Sequence, residues 1–184
     1  TSTFNIPVNA IADIYPEGTE TVKLRISAAG VRTVLIDGES VDVDVTIDNL
    51  ATTDFLFRMN WDGVYVGTDG EQHDSCDLDL DLEIYDAGFG GPLLTSYGNC
   101  PEEITIAAGD LADGDYWLIP SYWSNNGVSV APENNIAIPA VLTFAKPGVW
   151  VETVDHSDYG WDINGGGAAD GNPDGYIVKY QLNI

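Results

Sequence analysis

Apolar and polar residues alternate with a period of two along most of this chain, and no segment shows the spacing of an amphipathic helix. Residues 41–48 are the clearest case, because Val or Ile at each odd position alternates with Asp or Thr at each even position. Successive side chains of a strand point to opposite faces, so this pattern predicts a strand with one buried face. About ten such segments, separated by turn residues, predict an all-β fold, an antiparallel two-sheet β-sandwich.

The expected strands include one whose polar positions are all acidic. Asp79, Asp81 and Glu83 alternate there with leucine and isoleucine, and they are most simply the solvent-facing side of a half-buried strand. The predicted strands cover residues 4–10, 22–28, 41–48, 55–61, 78–84, 104–106, 114–123, 136–145, 149–154 and 176–184.

The charge balance of the chain excludes some partners. With 30 acidic and 6 basic side chains in 184 residues, the net charge of −24 repels nucleic acid and anionic membranes. Such repulsion also destabilises a compact fold unless cations offset it. Bound calcium, a saline habitat and a solvated acidic surface without further meaning are all compatible with this composition.

A calcium-loop pattern lies near residue 170. Residues 170–175 read Asp-Gly-Asn-Pro-Asp-Gly, which places oxygen ligands at alternate positions and a glycine at the sixth, as in the first half of a calcium-binding loop. An EF-hand would supply Glu at the twelfth position, where this chain has Gln181. The alternative is an ordinary Asp/Asn/Gly/Pro-rich turn. The predicted ligands are Asp170, Asn172, Asp174 and the carbonyl oxygen of Tyr176, with Asp162 and Asn164 from the same acidic segment.

A second acidic group precedes the strand at 78–84 and consists of Asp62, Asp69, Glu71, Asp74 and Asp77. Of these, Asp69, Asp74 and Asp77 are the candidate ligands of a second calcium ion. Two cysteines flank the same strand, and their even number, with little Met and Lys, indicates an oxidising compartment. We expect a disulfide between Cys76 and Cys100, the alternative being two buried thiols. Since no export signal or membrane-spanning run is present, we expect a mature secreted or cell-surface protein.

The first predicted strand could pair outside its own subunit. Phe4, Ile6 and Val8 share one face of it, and the segment that follows is long enough to let it reach away. Such a strand either forms an edge of its own sandwich or is donated to the open sheet edge of another copy.

Aromatic residues offer a different kind of site. Trp123, Tyr122 and Trp161 would stack on sugar rings if they were exposed together, although aromatics on sandwich strands usually belong to the core. No nucleophile, zinc-protease or phosphate-loop motif is present, so we expect no enzymatic activity. The two histidines are expected in exposed loops.

Four segments of the chain read DLDLDLEIYD at 77–86 with a glycine-rich turn after it, LLTS at 93–96, CPEEITI at 100–106 and LADGDYWL at 111–118. These segments give residues 41–148 a resemblance to the bacterial pre-peptidase C-terminal domain family. It implies a jelly-roll-like sandwich from a bacterium, secreted, often calcium-binding, and in some members attached to collagen or polysaccharide. The family supplies no catalytic residues.

Together these observations predict one sandwich domain over 1–184, with a core at 41–148, an added strand at 1–10 and an acidic loop plus last strand at 149–184. The predicted function is a calcium-binding, non-catalytic structural or adhesive module that self-assembles through a terminal strand. The alternative is an accessory module that binds an extracellular polysaccharide or protein polymer.

Overall fold

The computed structural model describes residues 5–26, 41–125, 130–133, 138–157 and 180–184. These residues form twelve β-strands and one 3₁₀ turn at Ser75–Asp77, and every strand pairing among them is antiparallel. The strands are β1 Glu20–Ile26, β2 Val41–Ile47, β3 Phe55–Asn60, β4 Val64–Val66, β5 Gln72–Asp74, β6 Asp79–Asp86, β7 Leu94–Ser96, β8 Glu102–Ile106, β9 Asp115–Ser124, β10 Val141–Lys146, β11 Trp150–Asp155 and β12 Tyr180–Asn183.

Two four-stranded sheets form the β-sandwich that the alternation predicts. One sheet has the order β11-β10-β3-β8 and the other has the order β12-β9-β6-β7. Most neighbours in a sheet are not consecutive in sequence, as in Greek-key sandwiches. The facing sides contribute one apolar core, in which Met59, Leu80, Leu82, Leu118 and Leu142 are fully buried.

The expectation that the acids of β6 face solvent is wrong for two of them. Asp81 is 6% exposed and Glu83 is 2% exposed, although they lie on the sheet face opposite the sandwich core. Glu83 is held there because its carboxylate accepts hydrogen bonds from the hydroxyls of Tyr85 and Tyr97. Neighbouring strands and loops therefore bury both faces of β6. The alternation along β6 shows which side chains share a face, but it does not show what covers that face.

The expected strand at 4–10 is also wrong within the described residues. Phe4 lies outside them, and residues 5–13, which we call the arm, have no strand pairing and are exposed throughout. Ile6 and Val8 therefore have the predicted alternation but no partner strand. Alternation determines which side chains share a face, whereas pairing needs an accessible sheet edge.

Strands β1 and β2 form a separate two-stranded sheet, which we call the ribbon. One face carries cross-strand ion pairs, with Arg25 contacting Asp42 at 2.7 Å and Lys23 contacting Asp44 at 3.6 Å. The other face is apolar and half-exposed. Its side chains are Val22, Leu24, Ile26, Val41, Val43 and Val45.

The ribbon is attached to the sandwich at the turn between β10 and β11. The amide of Gly148 donates to the carbonyl oxygen of Ile14 at 3.3 Å, and the side-chain amide of Asn49 donates to the carbonyl oxygen of Gly148 at 2.8 Å. Gly148 has a φ of +74°, and an added Cβ would lie 1.7 Å from the carbonyl oxygen of Leu50. The close approach of these two segments therefore requires glycine.

Candidate functional site

The sandwich is open along the side where β11 and β12 lie. These are outer strands of their sheets in the described part of the chain. An apolar groove of about 330 Å³ runs between them, which we call the edge groove. Its walls include Phe57, Phe144, Trp150 and Val154 from one sheet and Tyr180 and Leu182 from the other.

Aromatic contacts fix the floor of the edge groove. Phe144 meets Phe57 edge-on with ring centroids 5.8 Å apart, and its other side contacts Tyr180 at 5.3 Å. The hydroxyl of Tyr180 lies 2.9 Å from Nδ1 of His156. Edge-to-face aromatic pairs hold a defined geometry, so the contact between Phe57 and Phe144 helps to set the shape of the groove.

His156 lies behind this aromatic floor and is buried, so the expectation of an exposed loop histidine is wrong for it. Burial lowers its pKa to about 4, although the nearby Asp155 carboxylate acts in the opposite direction. The imidazole is therefore neutral at pH 7, where it supports Tyr180 rather than contributing charge.

The arm and the ribbon carry an unusual share of the exposed apolar surface. Nine of the sixteen large apolar side chains that are exposed in the described residues lie between positions 5 and 50, whereas no residue of that region belongs to the buried core. In the arm, Ile6 is 53% exposed, Val8 is 43% exposed and Ile11 is 93% exposed. Apolar side chains concentrated in this way are typical of interaction surfaces.

The predicted calcium ligands fall into two groups. Asp162, Asn164, Asp170, Asn172, Asp174 and Tyr176 all lie outside the described residues, as does Trp161. Asp69, Asp74 and Asp77 are described, and two of them make local contacts. Asp69 accepts from the amide of Glu71 and lies 3.1 Å from Nε2 of His73, and these two hydrogen bonds lower the pKa of its carboxyl group.

Asp74 caps the 3₁₀ turn, since its carboxylate accepts from the amide of Cys76 at 3.0 Å. Among the described residues, the group that places three ligand-type atoms within 4.8 Å of one another consists of Asp62, Asp74 and Cys76. The sulfur of Cys76 is already bonded in a disulfide, so this group offers a metal two carboxylates. The structure therefore brings Asp74 together with Asp62, not with Asp69 and Asp77.

The predicted disulfide is confirmed, since Cys76 and Cys100 are bonded with their Cα atoms 5.6 Å apart. The bond links the 3₁₀ turn before β6 to the loop before β8, one from each side of the sandwich. Of the predicted stacking residues, Tyr122 is buried in the core, whereas Trp123 is 38% exposed. Tyr122 is therefore not available to stack on a sugar beside Trp123.

No protein-family model matches this chain, and comparisons with curated proteins and with solved structures give no significant match. The resemblance to the pre-peptidase C-terminal family stays an expectation. No helix in the described ranges has the length and apolarity required to cross a membrane. The edge groove was not predicted, because Phe144 and Trp150 are brought to Tyr180 only by the folding of both sheets.

Proposed function

We propose that this chain is a non-catalytic structural subunit that assembles with copies of itself. The arm of one copy adds as a strand beside β12 of the next copy, and Ile6, Val8 and Ala10 enter the edge groove. The observation that carries this proposal is an exposed, alternating, unpaired arm in the same molecule as an open apolar groove at a sheet edge.

The position of Pro7 agrees with a strand added at an edge. In a strand, residues whose side chains share a face also direct their backbone N–H and C=O groups to the same edge. If Ile6 and Val8 face the groove and pair with β12, Pro7 lies with its nitrogen on the outer edge. Proline is tolerated in a strand only where no ladder donor is required.

The spacing of the groove also fits an extended segment. Trp150, Glu152 and Val154 line it at every second position of β11. Ile6, Val8 and Ala10 have the same two-residue spacing, so both sets repeat at about 7 Å. Each of the three arm side chains then lies level with one of the three groove side chains of β11.

The charge distribution favours the arm, rather than other parts of the molecule, as the surface that contacts a second copy. Residues 1–12 carry no charged side chain in a protein with a net charge of −24, and among the described residues that line the groove Glu152 alone has a charged side chain. Two copies repel each other over most of their surfaces. Residues 5–12 of the arm, which are uncharged, and the nearly neutral groove are the surfaces that meet with the least repulsion.

Two substitutions on opposite faces of the proposed strand test the proposal. Val8→Asp places a carboxylate in the groove, whereas Asn9→Asp adds the same charge on the outward face of the strand. An unpaired buried charge costs several kcal/mol, so Val8→Asp weakens assembly by more than 100-fold. Sedimentation and light scattering across a concentration series should show assembly for wild type and Asn9→Asp, and monomers for Val8→Asp.

A peptide of residues 1–12 provides a second measurement. It should bind a variant that lacks the arm with a stoichiometry of one to one and quench Trp150 fluorescence, and the Val8→Asp peptide should not bind. Monomeric wild-type protein at high concentration, or assembly that is unchanged by Val8→Asp, would contradict the proposal.

We also propose that the subunit is secreted and that calcium binds the segment from Asp170 to Tyr176. The ligand spacing of that segment and the large excess of acidic over basic side chains support calcium binding, and the disulfide supports an oxidising compartment. Adding a chelator should lower the melting temperature, and Asp174→Asn should reduce that difference. An unchanged melting temperature in both experiments would remove calcium from the proposal while leaving strand addition intact.

A further inference from the structure

A second cavity lies on the outer face of the sheet that contains β6. It has a volume of about 260 Å³ and is separate from the edge groove. We call it the acid pocket. Its lining consists of Asp79, Asp81, Glu83, Tyr97, Gly98 and Trp123.

The three carboxylates of the acid pocket differ in their hydrogen bonding. Glu83 accepts from the hydroxyls of Tyr85 and Tyr97, so its oxygens are engaged. No hydrogen bond to the carboxylate of Asp79 or Asp81 is found in the described part of the chain, although Asp81 is 94% buried. Two acceptor groups of the pocket are therefore left for a ligand.

A buried hydroxyl group lies next to these free carboxylates. Ser121 pairs directly with Asp81 across the β6–β9 ladder, so the two side chains share a face. The hydroxyl of Ser121 is buried and has no hydrogen-bond partner among the residues that the structure describes. Buried polar groups are nearly always satisfied, so this unpaired hydroxyl beside Asp81 indicates a missing partner.

The electrostatics of the pocket favour a positive partner. Burial, with the nearby charges of Asp79, Glu83 and Glu102, raises the pKa of Asp81 to about 7. Burial and hydrogen bonding to Glu83 likewise raise the pKa of the Tyr97 hydroxyl, so it stays a neutral donor. None of the described residues that line the pocket is cationic.

Size and shape distinguish between possible cations. Asp79, Asp81 and Glu83 follow one another at every second position of a strand, about 7 Å apart, and they are not among the groups whose ligand atoms lie within 4.8 Å. A compact metal ion requires convergent oxygens, which this row does not provide. Two aromatic side chains, Tyr97 and Trp123, instead provide faces that attract an organic cation.

We propose that the acid pocket binds an organic cation, an alkylammonium group that donates hydrogen bonds to Asp79 and Asp81 and lies against the ring of Trp123. A free polyamine and a lysine side chain of a partner protein share this chemistry. Binding displaces the proton that Asp81 partly retains near neutral pH, so protons are released as the cation binds.

Titration calorimetry of the purified protein with 1,4-diaminobutane, N-acetyl-lysine methylamide and 1,4-butanediol tests the proposal. We expect the amines to bind and the diol, which is isosteric with the diamine, not to bind. Tighter binding of the diamine identifies a polyamine as the source, and tighter binding of the lysine derivative identifies a protein partner. Measured heats should vary between buffers of different ionisation enthalpy near pH 7, because Asp81 releases a proton.

Matched variants locate the binding. Asp81→Asn and Trp123→Ala should each weaken amine binding at least tenfold, whereas Glu71→Gln and Tyr15→Ala should not. Tyr15 is the aromatic control because it is exposed and lines neither the acid pocket nor the edge groove.

Three results would overturn this proposal. The first is the absence of amine binding at millimolar concentration. The second is binding of Ca²⁺ that is lost in Asp81→Asn while amines give no heat. The third is binding of a neutral oligosaccharide that requires Trp123 but is unaffected by Asp81→Asn.

Discussion

Replacing Asp81 by Asn should stabilise the protein at high pH and have little effect at low pH. The carboxyl group of Asp81 has a folded-state pKa of about 7, against 3.8 for an unperturbed aspartate, because it is buried beside Asp79, Glu83 and Glu102. Well below pH 3.8 the group is protonated in both states and costs nothing. As the pH rises towards 7, the unfolded chain releases the proton while the folded chain retains it, so stability is lost.

The size of the effect follows from the same two values. The difference between 3.8 and about 7 corresponds to at most about 4 kcal/mol, which is fully expressed above pH 7. Asn is nearly isosteric and uncharged, and its amide group can donate to the unpaired Ser121 hydroxyl. We therefore expect Asp81→Asn to raise the free energy of unfolding by about 2–4 kcal/mol at pH 8 and by less than about 1 kcal/mol at pH 4.

Urea denaturation of both proteins at pH 4 and pH 8, in phosphate and acetate buffers free of amines, measures this difference. Glu71→Gln removes one negative charge from an exposed turn. The change in its free energy of unfolding therefore measures the effect of lowering the net charge alone. Equal stabilisation at both pH values, or a variant that is less stable than wild type at pH 8, would refute the argument from burial and repulsion.

Three further predictions follow from other parts of the fold. Gly148→Ala should cost about 1–3 kcal/mol and expose the ribbon to proteolysis, because the new Cβ would overlap the carbonyl oxygen of Leu50. His156 should titrate by NMR with a midpoint near pH 4, and its protonation should remove up to about 3 kcal/mol of stability as the pH falls from 6.5 through 4. Reducing the disulfide, which closes a loop with a sequence separation of 24, should cost roughly 3 kcal/mol in denaturation with and without reductant.

Each of these has its own contrary result. Gly18→Ala adds a Cβ with no atom within 4 Å, so equal proteolysis in the two alanine variants would mean that Gly148 does not hold the ribbon. A His156 midpoint near 6.5 would contradict its burial. An unchanged urea midpoint after complete reduction would show that the disulfide does not constrain the unfolded chain.

The sequence predicted the sandwich because alternation is a local property. Strands such as β2 and β6 were predicted because each carries an apolar face of its own, and the disulfide followed from the number of cysteines. The short β4–β5 hairpin was not predicted, since strands of three residues contain too little periodicity. The arm was predicted as a strand because alternation does not report whether a partner edge exists.

The two candidate sites depended on contacts that are distant in sequence. Asp81 and Glu83 have the same sequence pattern as solvent-facing acids, and only the tyrosines and loops around them show that they are buried. Likewise, Phe144 and Trp150 resemble ordinary strand residues until β12 is placed opposite them. The sequence shows which positions of β6 are acidic, but it does not show whether their side chains face solvent or line a cavity.

The turn at Gly148 brings together two surfaces of the proposed assembly. It anchors the ribbon from which the arm extends, and two residues later Trp150 begins the wall that would receive the arm of another copy. The arm and the groove are different surfaces of one subunit, so the proposed contact is head-to-tail. Repetition of such a contact gives a ring if the rotation between neighbouring copies leads back to the first subunit, and an open-ended fibre if it does not.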